Sequence, residues 1–474
     1  MMTMKYLLAG VALATATLPA AAQDSKTVIA DIAKVIKANP ADLADQVKAV
    51  YKANKKNPEV LVGIGRAYLE AKDTANAKVY AEYALKRDRK YAPAYILAGD
   101  IEVHKDEGGA AAGYYQQAKY FDPKNPEAYF KYANVLRGRS PEEAVANLEE
   151  LRTHRPDVAV DALIARIYYN SNMLDKSMAS YEKVQKEKME DVDITNYAMA
   201  GYLTQVRDKS SEMALYGLSK NPRMAAWNRI VFYNYTDESK FEDALAYADK
   251  LFNASDSAKI SGYDYTYYGT ALIGAKQYDT AVQALQKAYG LNEGNAELQL
   301  SNTKSLSDAY LGLSDYANAV KYYEQYLAGV QKASASDFAG LASIYQSQAA
   351  ELEGDAQKAA FLKADSVYAK LGELYPENMD FANFMRARVN SNLDPETKDG
   401  LAKPFYEALA TALADKAERD NVDNTRLVEA YRYLGYYHLL KDDTNTANGY
   451  WEKVLELDPE NEMAKKALSL TKKK

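Results

Sequence analysis

Residues 58–91 read PEVLVGIGRAYLEAKDTANAKVYAEYALKRDRKY, and residues 92–125 read APAYILAGDIEVHKDEGGAAAGYYQQAKYFDPKN. Laid under one another at a step of 34 residues, they put Gly65 over Gly99 and Ala77 over Ala111. The first small-residue series continues at Ala133 and Ala165, the second at Ala144 and Ser177, with bulky Ile64, Tyr68, Tyr115, Leu148 and Tyr181 between them. Within a block, apolar residues fall three and four apart over Pro58 to Ala71 and again over Ala75 to Arg87, with a turn at Lys72-Asp73, which predicts two helices. Strand-type alternation is absent. A helix pair of this size cannot bury its own apolar stripes, so neighbouring pairs must stack. Stacking demands small residues where backbones cross and large ones in the gaps.

Other blocks keep the same phase. One carries Tyr265, Tyr268, Gly269, Leu272, Tyr278, Ala281, Leu285 and Ala288; the last carries Tyr431, Leu434, Gly435, His438, Ala447, Trp451, Val454 and Pro459. This resembles the tetratricopeptide repeat family, whose pattern is a bulky residue, Leu-Gly, Tyr, then Ala, an aromatic, Ala and a closing Pro. The resemblance implies an all-α, right-handed α-solenoid of stacked helix-turn-helix repeats, with a concave groove lined mainly by the first helix of each pair. About eleven units fit between Pro58 and Asn461, three of them degenerate. The plan is a leader over 1–22, a helical pair over 23–57, well-matched repeats over 58–190, degenerate repeats over 191–260, and an array over 261–461. Insertions near 346–363 and 391–400 are expected to project from one edge, and a capping helix occupies 462–474.

A chain of 474 residues exceeds what one hydrophobic core usually fills, which suits an array. Hydrophobic residues at 48% and charged residues at 26% are ordinary for a folding soluble protein. A formal charge of −7 argues against nucleic-acid binding. With no cysteine, disulfides, thiolate chemistry and cysteine lipidation are all excluded. Lys5, the apolar run Tyr6 to Leu18, Pro19 and the small residues Ala20 to Ala22 before Gln23 read as a cleaved secretory leader, cut after Ala22. A periplasmic or secreted location follows. No later stretch is long and apolar enough to span a bilayer.

No catalytic, cofactor or metal site is expected. His104, His154 and His438 fall at different phases of different units; His438 takes a packing tyrosine's place, and the other two lie exposed at helix ends. Gly63-Ile64-Gly65 lacks the preceding strand of a phosphate-binding loop. Asp394, Glu396 and Asp399 do not have calcium-loop spacing. Asp73-Thr74-Ala75, Asp256-Ser257-Ala258, Asp279-Thr280-Ala281 and Asp365-Ser366-Val367 resemble a bacterial O-glycosylation acceptor, although Asp73 and Asp279 also read as N-caps of second helices.

Family phase assigns the groove to Val62, Arg66, Leu69, Ile96, Asp100, Phe130, Asn134, Arg166, Tyr169, Arg386, Arg432 and Tyr436. Its arginines suit an acidic or carboxylate-bearing peptide. The 41 tyrosines, many of them packing residues, also suit recognition. The expected function is a non-enzymatic scaffold holding a protein or peptide partner, with an envelope assembly as its setting. The alternative is a glycan- or peptidoglycan-associated protein that uses groove tyrosines. Truncation of a groove residue such as Arg166 is expected to change stability by no more than about 0.5 kcal/mol.

Overall fold

The computed structural model describes residues 24–471, so the leader-like segment and Lys472 to Lys474 lie outside it. Among the described residues the regular elements are helical, apart from one isolated bridge between Met224 and Asp256. Two compact units meet in sequence at Gly217 and Leu218. The first holds α1 (Ser25–Ala38), α2 (Leu43–Asn54), α3 (Pro58–Glu70), α4 (Thr74–Arg87), α5 (Ala92–His104), α6 (Gly108–Phe121), α7 (Pro126–Leu136), α8 (Pro141–His154), α9 (Asp161–Asn170), α10 (Leu174–Tyr181) and α11 (Asp191–Leu203); α12 (Arg207–Lys220) contains the boundary. The second holds α13 (Ala225–Asp237), α14 (Phe241–Asp249), α15 (Gly262–Gly274), α16 (Tyr278–Leu291), α17 (Ala296–Gly312), α18 (Tyr316–Gly329), α19 (Ala335–Ala350), α20 (Gly354–Leu374), α21 (Met379–Leu393), α22 (Lys403–Ala414), α23 (Asn421–Leu440), α24 (Thr444–Leu457) and α25 (Glu462–Thr471). From α3 to α24 these make eleven pairs, each a first helix followed by a second.

Local chemistry starts and stops several of the helices. Asn57 and Asn125 accept from backbone N–H groups of α3 and α7, and each is followed by a proline at the first helical position. Asp73, Asp315 and Asp443 cap the second helices α4, α18 and α24. Just before each of these caps stands a left-handed residue, Lys72 (φ 64°), Ser314 (φ 58°) or Asp442 (φ 58°). The turn closes as the cap N–H reaches back five residues: Asp73 to the Tyr68 carbonyl at 2.8 Å, Asp315 to Tyr310 at 2.9 Å, and Asp443 to His438 at 2.9 Å.

The core is a row of small clusters. In the first unit, Ile36, Ile64 and Leu97 form one, Ile96, Tyr115 and Tyr132 the next, and Tyr129, Leu148 and Ile164 a third. In the second unit the series runs through Leu272, Leu285 and Leu306, then Tyr323, Leu341 and Tyr368, then Leu409, Leu434 and Trp451. The pairs joined by these clusters therefore bury their apolar stripes against neighbours within each unit, as a solenoid requires.

The two expected insertions turn out differently. Residues near 346–363 do not project as a loop: they lengthen α19 to 16 and α20 to 21 residues, leaving only a short turn at Glu351 to Glu353. Helical backbone satisfies its own polar groups, so the added length costs no unpaired peptide. The second insertion is a real loop between α21 and α22. Asp394, buried at 6% exposure, organises it by accepting from the backbone N–H of Lys398, Asp399 and Gly400 at 3.0, 3.0 and 2.7 Å. Gly400 has φ +73°, and a Cβ there would overlap the Tyr437 ring.

Candidate partner-binding groove

Small residues set how closely the first helices lie to their partners. A Cβ added to Gly99 would overlap the Tyr115 ring, one on Gly269 would overlap Leu285, and one on Gly435 would stand 2.8 Å from Trp451. Gly65 performs the same service toward Leu97 of the next pair. Ala77, Ala111, Ala281 and Ala447 are fully buried opposite. Where serine replaces a small residue, its hydroxyl finds a carbonyl across the crossing: Ser177 bonds Ala165 at 2.9 Å and Ser307 bonds Ala319 at 2.7 Å.

Between first helices this spacing leaves clefts. One of about 320 Å³ is lined by Arg66 and Leu69 of α3, Asp100 of α5 and Lys131 of α7. A second, about 410 Å³, has Phe130, Leu163 and Ile167 on its walls and Asn134, Arg137 and Arg166 among its polar residues. In the second unit, a cleft of about 730 Å³ is bounded by Arg432, Tyr436 and Leu439 of α23, Trp451 of α24 and Met463 of α25.

The charged residues of these clefts are largely paired within the chain. Arg66 meets Glu127 at 3.1 Å, a contact 61 residues apart in sequence. Asp100 accepts from Lys131 at 2.8 Å and from the Tyr115 hydroxyl at 2.7 Å. Burial, together with that bond to Asp100, pushes the Tyr115 phenol well above its ordinary value. Arg166 grips Asp193 with Nε and Nη2 at 2.6 and 2.7 Å and reaches Glu190 at 2.8 Å; Asp193 is 1% exposed. Arg386 pairs bidentately with Asp365, both bonds 3.0 Å.

Asp193 is the third residue of α11, where its carboxylate also completes a capping box. The same device recurs in the second unit. Asp264 in α15 and Asp337 in α19 sit third in their helices, each closing a capping box and each accepting a cation from the preceding first helix. Arg229 donates to Asp264 at 2.6 Å and Lys304 to Asp337 at 3.1 Å, while the hydroxyls of Tyr233 and Tyr326 add bonds of 2.8 and 3.1 Å. Burial alone would raise both carboxyls. Bonds from Arg229, the Ser261 N–H and Tyr233 hold Asp264 below its usual value, and those from Ser334 and Lys304 bring Asp337 down to about 2.

A family model described as tetratricopeptide repeat matches residues 305–328, which cover the end of α17 and most of α18 with the Ser307–Ala319 crossing. The α17–α18 segment carries a tetratricopeptide repeat. Similarity to individual proteins is partial. The RxLR effector protein SFI4 of Phytophthora infestans is 32% identical over 116 residues, 23% of this chain, and the chain spans only 33% of that relative's length. The C-terminal part of a TPR repeat-containing protein from Cytophaga hutchinsonii is 25% identical, covering 58% of this chain and 99% of that one at a TM-score of 0.47. A tetratricopeptide repeat protein from Parabacteroides merdae is 16% identical, over 53% of this chain and 98% of that one, at a TM-score of 0.34. Repeats of this kind typically build protein–protein interaction scaffolds and are typically non-catalytic.

Against this frame of repeats, the expected groove residues separate into groups. Arg66 and Asp100 share one cleft, Phe130, Asn134 and Arg166 a second, and Arg432 and Tyr436 a third. Tyr169 is half-buried on α9, and burial raises its phenol. Arg386 is held by Asp365 and stacks on Phe405 at 4.1 Å. Val62, Leu69 and Ile96 are core residues, at 5%, 6% and 0% exposure, because the repeat's first helix turns a wider face inward than its small-residue phase suggests. The carboxylates that neutralise the groove, Glu127, Asp193, Asp264 and Asp337, do not follow from the repeat phase. The signal for the last two is a Ser three residues ahead of the Asp, at Ser261 and Ser334.

The remaining candidates behave as structural groups. His438 meets Asp443 at 3.1 Å and stacks on Tyr450, while His104 and His154 end α5 and α8 exposed. Asp73 caps α4, whereas Asp279 lies second within α16 behind the cap residue Gln277, so its expected capping role fails. No helix among the described residues is long and apolar enough to cross a membrane.

Proposed function

We propose that this protein holds a segment of a partner protein along the first-helix clefts. The observation that carries the reading is the convergence of expected groove residues on three clefts, each combining an apolar wall with hydrogen-bonding side chains: 66 with 100, 130 with 134 and 166, and 432 with 436. Such a mixture suits an extended or helical peptide, whose apolar side chains need pockets and whose polar groups need partners. The leader-like run Tyr6 to Leu18 supports an exported, periplasmic or secreted setting, which an envelope assembly would share.

Photo-crosslinking residues placed one at a time test this. Asn134 and Tyr436 are exposed groove positions, and Tyr120, 77% exposed, lies on the second helix α6. In intact cells, probes at 134 and 436 should capture a common protein that a probe at 120 does not. Equal capture from all three, or capture from 120 alone, would remove the groove from the account. Intact mass of the exported protein should begin at Gln23; a product retaining residues 1–22 would refute export by leader cleavage.

A further inference from the structure

Arg229, Lys304 and Arg432 occupy one register. Each lies fifteen residues ahead of the fully buried alanine of its second helix, Ala244, Ala319 and Ala447 respectively. For the first two, the next first helix supplies a carboxylate from its third residue, Asp264 or Asp337. For Arg432 the following helix is α25, and the group it presents is the Met463 thioether, with Sδ 3.4 Å from Nη2. A thioether is only a weak acceptor. The Arg432 Nε is buried with no hydrogen-bond partner.

The surroundings do not make up the deficit. Glu429 is already engaged by Arg388 at 2.8 and 2.7 Å and by the Tyr406 hydroxyl at 2.9 Å. Lys466 on α25 has no carboxylate within ion-pair distance among the described residues. The cleft lining thus holds three cations, Arg388, Arg432 and Lys466, against one carboxylate, in a chain of net charge −7. Beside them stand exposed apolar surfaces: Tyr436 at 45%, Met463 at 51% and Leu470 at 58%.

We propose that this cleft takes an acidic segment of a protein partner. A side-chain carboxylate of the segment docks on Arg432 as Asp264 docks on Arg229, and a large apolar side chain next to it packs on Tyr436, Met463 and Leu470. The proposal rests on the groove reading above and specifies one subsite and its chemistry. The two inner repeats that carry a cation here, at Arg229 and Lys304, satisfy it from the next first helix; the repeat of Arg432 leaves it for the partner.

The test uses the full chain and a fluorescent, end-capped ten-residue peptide with a leucine between two glutamates. Its controls replace the glutamates with glutamines, or the leucine with serine. The glutamate–leucine peptide should bind with an affinity that falls as salt rises, and both controls should bind at least about tenfold more weakly. Arg432→Gln should lose a similar factor, Arg432→Lys should recover part of it, and Met463→Asp should block the site with its own carboxylate while leaving the fold intact by thermal melting. Equal binding of glutamate and glutamine peptides, indifference to Arg432→Gln, or no binding by any peptide would overturn the proposal. Self-association that Arg432→Gln abolishes would assign the cleft to a second copy and overturn it as well. Because the probe at Asn134 reports on a different cleft, its continued capture of a partner would leave the general groove reading standing after such a failure.

Discussion

Arg229 and Arg432 hold equivalent places in their repeats, yet one is locked to a buried carboxylate and the other faces a thioether. Nothing in their own helices accounts for this. The difference comes from the helix that follows: α15 begins with the capping box Ser261 to Asp264, whereas α25 places Met463 in the equivalent space. A groove cation in a stacked array is therefore structural or available according to its neighbour, and groove phase alone does not distinguish the two.

The contrast is sharpest in stability. Arg229→Ala strands Asp264, which is 0% exposed, so unfolding free energy by denaturant titration should fall by about 3–5 kcal/mol. Arg166→Ala should behave likewise through Asp193, which corrects the expectation that truncation there is nearly neutral. If either change costs no more than an exposed truncation, the built-in pairs do not hold the stack.

Crossing points should rank next. Gly99→Ala puts a methyl into the Tyr115 ring and should cost roughly 1–3 kcal/mol by overpacking, measured in the same titration. A neutral result would mean that the helices of that pair shift apart freely.

Acid should weaken the pairs that Asp264 and Asp337 make. Asp264 and Asp337 have folded-state values below their ordinary one, Asp337 at about 2, so their contribution is present above about pH 4 and is lost as pH falls toward 2. Melting temperature should drop over that window, less steeply in Asp337→Asn once its lower baseline is subtracted. An unchanged slope would show that Asp337 titrates as it does in the unfolded chain. The smallest effect is expected for Arg432→Gln, within about 0.5 kcal/mol of the parent, since no carboxylate is stranded. A loss near that of Arg229→Ala would erase the distinction.

The repeat was legible because its cause is local and periodic: a small residue at most crossings, and a left-handed residue at most turns within a pair, as at Lys72, Ser314 and Asp442, recur from Gly65 to Gly435. Helix bounds such as Pro58–Glu70 follow from the same signals. The lengthened α19 and α20 were misread because extra residues of helical composition look like an insertion until their ends are fixed by Ser334 and Gly354. The groove was half legible. Periodicity identifies Arg166 or Arg432 as facing other first helices, but pairing depends on an aspartate 27 residues on in one case and a methionine 31 residues on in the other. Only the Ser-x-x-Asp starts at Ser261 and Ser334 carried that information in advance.

Met463→Asp, made in the parent and in Arg432→Gln, tests most directly whether the following helix decides the fate of the groove cation. An aspartate near the start of α25 gains a little from the helix dipole in either background. A further stabilisation, about 1 kcal/mol or more in denaturant titration, is expected only when Arg432 is intact. The same gain in both backgrounds, or a loss in the parent, would contradict it.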